Sequence, residues 1–323
     1  MEKILEVKDL FVNFYTYRGI VRALNGINLT LNKAESVGLV GESGCGKSAT
    51  AKSIINLVDS PGKIEGGHIY FRGKDLLTLS SPELKKIRGK QISFIFQEPK
   101  KALDPTSKVG DQLIEAIQIA RSVSKKEAAK ICPEILSQVG LADFQRVMKS
   151  YSFELSGGMA QRIMIGMAIC GSPVLIIADE PTSALDVSVQ AQIIRLLDEL
   201  AKRYHSSLIL ITHDLGLAAE NCEKIAVMYA GNIVEFGTVE MVFGNTAHHY
   251  TKGLLDSLPT LEAKELFTIP GMVPDLIYPP PGCRFSTRCS SKKTACCENF
   301  PALKELEKGH FVSCFYPIAG KDR

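Results

Sequence analysis

The segment Gly41-Glu42-Ser43-Gly44-Cys45-Gly46-Lys47-Ser48 constrains this chain more than any other, because it fits the spacing G-x-x-x-x-G-K-[ST]. Directly before it, Ser36 to Val40 reads as a short strand. Directly after it, Lys47 to Val58 reads as a helix that breaks at Ser60-Pro61-Gly62. A strand that runs into a glycine-rich turn and reopens as a helix makes an anion cradle. The glycines let successive N–H groups point inward, and the helix N-terminus adds a favourable dipole. Lys47 would reach the β- and γ-phosphates of a nucleotide and Ser48 would ligate Mg2+. Gly41, Ser43, Gly44, Cys45, Gly46 and Ala49 complete the expected phosphate contacts.

A second element belongs with this one. Val174 to Ala178 is an apolar strand that ends in Asp179-Glu180, and burying two carboxylates at a strand end is costly unless cations or water meet them. Asp179 would hold Mg2+ directly or through water, and Glu180 would polarise an attacking water as general base. The plainer reading is that both acids cap the element beginning at Pro181. Taken together with the glycine-rich loop, the acids point to a nucleoside-triphosphate hydrolase.

The remaining pattern is that of an α/β protein. Short β-type runs occur at Ile4 to Val7, Ile27 to Leu31, Gly67 to Arg72 and Ile92 to Phe96, and residues from about Pro105 to Cys170 read as a helical insertion. Strands return at Leu208 to Ile211 and Ile225 to Met228, with a helix near Val189 to Arg203. Such alternation favours a parallel sheet covered on both faces. A formal net charge of +3 is too small for a nucleic-acid footprint, so no nucleic acid is expected as partner. No apolar run reaches the roughly 18 residues of a membrane span, and the acidic opening Met1-Glu2-Lys3-Ile4-Leu5-Glu6 argues against a secretory leader. Any membrane role is therefore expected to go through partners. Of nine cysteines, Cys45, Cys132, Cys170 and Cys222 are scattered through core-like elements and read as small buried hydrophobes. Cys283, Cys289, Cys296, Cys297 and Cys314 crowd a Pro-rich tail, where a reducing compartment favours metal binding over disulfides.

Five further features give the chain its resemblance to a family. They are Gln97 after a strand, Leu155-Ser156-Gly157-Gly158-Met159, Asp179-Glu180, Ser183-Ala184-Leu185-Asp186, and His213 after a strand. In this order they resemble the ATPases of ATP-binding-cassette (ABC) transporters over about residues 4 to 244, and the rest resembles the tail of dipeptide and oligopeptide importer ATPases. The resemblance implies a P-loop NTPase fold of ABC type: a mostly parallel core sheet, an antiparallel β-subdomain, a helical signature subdomain at about 105–170, and a small Cys-rich C-terminal extension. The expected domains are 1–244, binding nucleotide, and 245–323.

The resemblance also assigns roles. Ser156, Gly157 and Gly158 would cap the γ-phosphate of a nucleotide held by a second subunit, so two such domains would sandwich two ATP molecules head to tail. Gln97 would touch Mg2+ or the lytic water, His213 would hydrogen-bond the γ-phosphate, and Asp186 would act across the dimer. An aromatic residue upstream of the loop would stack on adenine, with Tyr17 preferred by spacing and Phe14 and Tyr15 as competitors. Met159 departs from the Gln of many relatives, a change expected to preserve activity. The Met and Ile stripe of Gln161 to Ile169 reads as core packing.

In the tail, Cys283, Cys289, Cys296 and Cys314 resemble the thiol set that holds a [4Fe-4S] cluster in known members, with zinc as the alternative and Cys297 as a rival to Cys296. The function implied is that of an ATP-hydrolysing subunit powering an importer of di- or oligopeptides from the cytoplasmic face of the membrane. Its expected partners are two permeases, a second ATPase or a copy of itself and, indirectly, an extracytoplasmic binding protein. A nickel importer, or a soluble ABC ATPase acting on nucleic acid, are the alternatives. An ATP-binding subunit without hydrolysis is disfavoured by Glu180 and His213.

Overall fold

A computed structural model describes residues 2–183, 185–258 and 267–318 of the chain. Ala184 of the Ser183–Asp186 motif, and parts of the expected tail at 259–266 and 319–323, lie outside the described residues. The described strands, in chain order, are β1 (Lys3–Thr16), β2 (Gly19–Asn32), β3 (Ser36–Val40), β4 (Gly62–Phe71), β5 (Lys74–Asp75), β6 (Ile92–Ile95), β7 (Leu175–Asp179), β8 (Ser207–Thr212), β9 (Lys224–Tyr229), β10 (Asn232–Thr238), β11 (Lys304–Glu307) and β12 (His310–Val312). The chain divides into two compact units. One comprises Leu5–Leu31, Ser36–Leu77 and the chain from Thr212 onward; the other comprises Thr78–Ile211 with Asn32–Glu35 and the first few residues.

In the first unit, β1 and β2 belong to a four-stranded sheet ordered β2-β1-β4-β5. Strand β1 pairs antiparallel with β4 and bulges between Lys8 and Phe11, where Asp9 takes a positive φ of 45°. A bulge of this kind bends a wet-faced strand without ending it. Both arms are therefore much longer than the apolar runs Ile4 to Val7 and Ile27 to Leu31 predict. The same unit pairs β3 parallel with β9 and continues antiparallel through β10 to β12 and β11. Residues of the Cys-rich tail thus add strands to the sheet that carries the glycine-rich loop.

The helix after that loop runs Lys47–Ile54 and buries Thr50, Ala51 and Ile54. It is shorter than expected because Ile55 already leaves the helical region and Asn56 turns left-handed, at φ 49°.

In the second unit, β6, β7 and β8 are parallel neighbours, with Ile92 opposite Leu175 and Leu175 opposite Ser207. Every residue of β7 and β8 is buried. A parallel strand covered on both faces has no reason to alternate, and each fully buried Ile or Leu is worth about 1.5–3 kcal/mol. The predicted helical insertion contains helices Val109–Arg121, Lys125–Gln138, Phe144–Lys149 and Gly157–Ile169. Ser124 and Glu127 close a capping box on the second, and Ser156 caps the fourth through Met159 N–H at 3.2 Å. Ile163, Met164, Ile165 and Ile169 are buried, so the Met and Ile stripe is core. Cys45, Cys132, Cys170 and Cys222 are buried too, as their scatter predicts.

Candidate functional site

The glycine-rich loop is built so that its backbone, not its side chains, lines the turn. Gly41 is the last residue before the curl, and a Cβ there would stand 2.1 Å from the Met228 carbonyl oxygen. Gly46 has φ 107° and occupies the N-cap of helix Lys47–Ile54, where a Cβ would meet Leu24 Cδ2 at 2.7 Å and the Ala23 carbonyl at 2.9 Å. No side-chain oxygen caps this helix start, and a helix N-terminus that opens on a glycine-rich turn is the frame phosphate sites use. Lys47 is 4% exposed, and its ammonium donates to the carbonyls of Gly41 at 2.7 Å and Glu42 at 3.1 Å. Its charge is thus held inside the curl by the loop's own oxygens. Ser43 and Gly44 are exposed at the tip, Ser48 and Ala49 are half-buried in the first turn, and Cys45 is buried beneath it. Burial pushes the Cys45 thiol up, against the pull of Lys47.

Elsewhere in the same unit, Tyr17 stands at the β1–β2 turn and is 99% exposed, while the Tyr15 hydroxyl donates to Glu65 at 2.8 Å and its ring lies under Lys63. Of the two tyrosines, Tyr17 keeps a ring open to a stacking partner. His213 is exposed immediately after β8, and Asp214 caps the following helix through Leu217 N–H at 3.0 Å.

The second unit carries the acids. Asp179 ends β7 and is 4% exposed. Glu180 follows with φ 43°, its N–H bonded to the Ile211 carbonyl at 3.0 Å. Non-glycine residues in this region cost of order 1 kcal/mol and cluster at functional sites. The Gln97 amide donates to the Glu180 carboxylate at 2.9 Å, so two predicted catalytic residues meet although 83 positions separate them. Ser156 is exposed at the helix start, with Gly157 and Gly158 behind it. Asp186 is exposed and serves as N-cap of helix Val187–Tyr204, accepting from Val189 N–H at 3.0 Å and from the Ser188 hydroxyl at 2.7 Å. Those bonds hold its carboxyl below the usual range, the Ser188 hydroxyl foremost.

In the tail, Cys283, Cys289, Cys296 and Cys314 line one small cavity of about 20 Å³, beside His248, His249 and Phe285. Cys297 is exposed and is not part of the lining. Burial pushes Cys283 and Cys314 up to about 11 and raises Cys289. As thiols they are therefore neutral, and a metal would have to displace their protons. Among the described residues no group of three or more His, Cys, Asp or Glu side chains stands at metal-holding geometry. What the four cysteines share is the lining of one cavity, and thiols in that number are the donor type that zinc or an iron–sulfur cluster takes.

Pairs that join distant parts of the chain went unpredicted. Arg288 bonds both carboxylate oxygens of Glu42, at 2.9 and 3.1 Å. Glu235 accepts from the N–H groups of Ala247 and His248 and meets His310 Nε2 at 2.9 Å. Glu42 and Arg288 are 246 positions apart and lie within no periodic pattern.

Residues 24–183 match the ABC transporter family model, and residues 234–296 match the C-terminal region of oligopeptide/dipeptide transporters. The chain is 47% identical to the dipeptide transport ATP-binding protein DppD of Bacillus subtilis, over 98% of this chain and 95% of that protein. It is 44% identical to the oligopeptide transport ATP-binding protein OppD of Escherichia coli, over 98% and 94%. Among solved structures it resembles the ATP-binding cassette MJ0796, in a dimeric post-hydrolysis state bound to ADP and Pi, at 28% identity and a TM-score of 0.64, covering 73% of this chain and 98% of that one. With close to half of its residues shared along nearly its full length, this chain belongs to the ABC transporter family, as one of its ATPase cassettes.

Proposed function

We propose that this chain hydrolyses ATP to drive a membrane importer of di- or oligopeptides. The observation that carries the reading is the Gly41–Ser48 cradle, with Lys47 inside it, in a chain whose tail is of the oligopeptide/dipeptide type. Residues 1–244 form the nucleotide-binding domain, with a helical subdomain at 105–170, and 245–323 form the extension. Lys47 neutralises the β- and γ-phosphates, and Gly41, Ser43, Gly44, Cys45, Gly46 and Ala49 offer backbone N–H groups to them. Ser48, Asp179 and Gln97 would hold Mg2+, which would supply positive charge beside the phosphates. Glu180 takes the proton of the attacking water, and the hydrogen bond from Gln97 fixes the carboxylate for that task. His213 hydrogen-bonds the γ-phosphate, and Tyr17 stacks on adenine.

Ser156, Gly157, Gly158 and Asp186 complete the nucleotide site of a second ATPase, a homologue or another copy of this chain. Binding energy that differs between open and closed dimers is then passed to two permeases. No helix among the described residues is long and apolar enough to cross a membrane. Attachment is peripheral, at the cytoplasmic face, and the extracytoplasmic binding protein acts through the permeases. Cys283, Cys289, Cys296 and Cys314 would hold a [4Fe-4S] cluster or zinc, which would supply a cross-link between segments of the tail.

The test is uptake by proteoliposomes carrying the assembled complex, with labelled dipeptides, longer peptides and Ni2+ offered in parallel. ATP-dependent accumulation of peptide supports the reading. Accumulation of Ni2+ alone would replace it with the nickel-importer alternative.

A further inference from the structure

Between Cys283 and Cys289 the tail carries two arginines whose charges the ATPase chemistry has not used. Both reach the supports of the glycine-rich loop, and both side chains are largely buried. Arg288 is 5% exposed at its side chain. Its Nη1 bonds the Glu42 carboxylate at 2.9 and 3.1 Å, and its Nε and Nη2 donate to the carbonyls of Pro270 and Ile269 at 3.0 and 3.1 Å. Glu42 is the second residue of the loop, and its other groups are engaged as well. Its N–H donates to the Tyr250 hydroxyl at 3.0 Å, and its carbonyl accepts from Lys47 at 3.1 Å.

Arg284 works at the other side of the curl. Its Nη1 donates to the Ala230 carbonyl and to that of Arg22, and the neighbouring Gly231 N–H donates to the Cys45 carbonyl at 2.8 Å. Phe285, between the two arginines, packs edge-on against Tyr229 at 5.2 Å and against Tyr250 at 5.5 Å. One short segment therefore touches the supports of the loop on two sides, and its own ends are two of the thiols that line the tail cavity.

Electrostatics gives this contact a consequence. A carboxylate on a loop that binds triphosphate repels its ligand unless a cation compensates it. Arg288 is that cation, and because its planar guanidinium is also tied to the Pro270 and Ile269 carbonyls it holds the Glu42 carboxylate in one place. We propose that Arg288 is a positioning residue for the nucleotide site, and that segment Cys283–Cys289 couples the state of the four tail thiols to nucleotide affinity. The inference rests on the reading of Gly41–Ser48 as the ATP cradle.

The test is titration of the full chain with a fluorescent ATP analogue in Mg2+, with folding checked by circular dichroism. Arg288→Gln should weaken binding by on the order of tenfold, which corresponds to about 1.4 kcal/mol. Arg288→Lys should recover part of the loss, because the charge returns without the fork. Glu42→Gln in the Arg288→Gln background should also recover affinity, since the uncompensated carboxylate is gone; a general loss of packing would not be reversed this way. Adding Zn2+ alone to the thiol-reduced wild-type chain should tighten binding severalfold and should have no such effect on Arg288→Gln. Equal affinities for wild type and Arg288→Gln, or a double variant weaker than the single one, overturn the positioning role. A Zn2+ response that persists in Arg288→Gln overturns the coupling. Failure of the wild-type chain to bind nucleotide at all overturns the ATPase reading and this inference together.

Discussion

Replacing Glu235 by alanine probes the tail where its packing is most committed. Glu235 and His310 are both fully buried, and the carboxylate accepts from His310, from Ala247 N–H at 2.7 Å and from His248 N–H at 2.9 Å. The substitution removes the acceptor that two backbone N–H groups and the His310 ring share, and leaves a cavity in its place. Breaking a buried pair from one side costs about 3–5 kcal/mol, and each abandoned buried donor adds about 1–3 kcal/mol where water cannot reach it. At a urea slope of ~3 kcal/mol per M, the unfolding midpoint should fall by more than ~1 M. The chain has no tryptophan, so far-UV circular dichroism is the natural probe. Glu235→Gln keeps one oxygen for an amide N–H and should lose about half as much. A midpoint shift below ~0.3 M for Glu235→Ala would refute the argument. The pair also predicts a pH dependence. The hydrogen bond to Glu235 raises His310 above its ordinary 6.5 in the folded chain. Its contribution is therefore fully present below 6.5 and is lost as pH rises from there through the folded value. Wild type should unfold at lower urea near about pH 9 than near about pH 6, and Glu235→Ala should show less of this difference.

Three further outcomes follow from the site. Gly46→Ala places a methyl 2.7 Å from Leu24 Cδ2 at a φ of 107°; it should abolish binding of a fluorescent ATP analogue while leaving helix content near wild type, and retained affinity would contradict the cradle geometry. Asp186→Ala removes the N-cap of helix Val187–Tyr204 and should cost about 1 kcal/mol in a urea titration, in addition to any defect in ATP turnover; no change in either would leave Asp186 without a role. Cys283→Ser should abolish the visible absorption, or the stoichiometric zinc, of anaerobically purified protein, whereas Cys297→Ser, outside the cavity, should change neither; a metal-free wild type would remove the cluster proposal.

Much of the fold was legible because its core strands report their environment directly. Strand β3 was read with its observed ends, since Ser36 to Val40 is an apolar run stopped by Gly41. Strands β7 and β8 were read within a residue at each end, because strands buried on both faces spell continuous Ile and Leu. The hairpin arms β1 and β2 were read too short, since their outer halves face water and the Asp9 bulge interrupts alternation. Strand β11, Lys-Glu-Leu-Glu and exposed throughout, carries no apolar signal and went unseen.

In the candidate site, residue types were legible and long-range partners were not. Spacing singles out Gly41 to Ser48, and an apolar strand end singles out Asp179 and Glu180. Nothing local, however, announces that Gln97 reaches Glu180 or that Arg288 reaches Glu42. Such pairs are created by chain crossings, and a one-dimensional period has no access to them. The four thiols of the tail were visible as a cluster by composition, and the cavity they share distinguishes Cys296 from its exposed neighbour Cys297.

The central claim is hydrolysis of ATP with Glu180 as the base, and one comparison addresses it directly: Mg-ATP turnover and self-association of the wild-type chain against Glu180→Gln. The substitution preserves shape and removes the proton acceptor. The account predicts that Glu180→Gln binds Mg-ATP, hydrolyses it at least about a hundredfold more slowly and accumulates as a closed dimer on a sizing column. Turnover equal to wild type would contradict it.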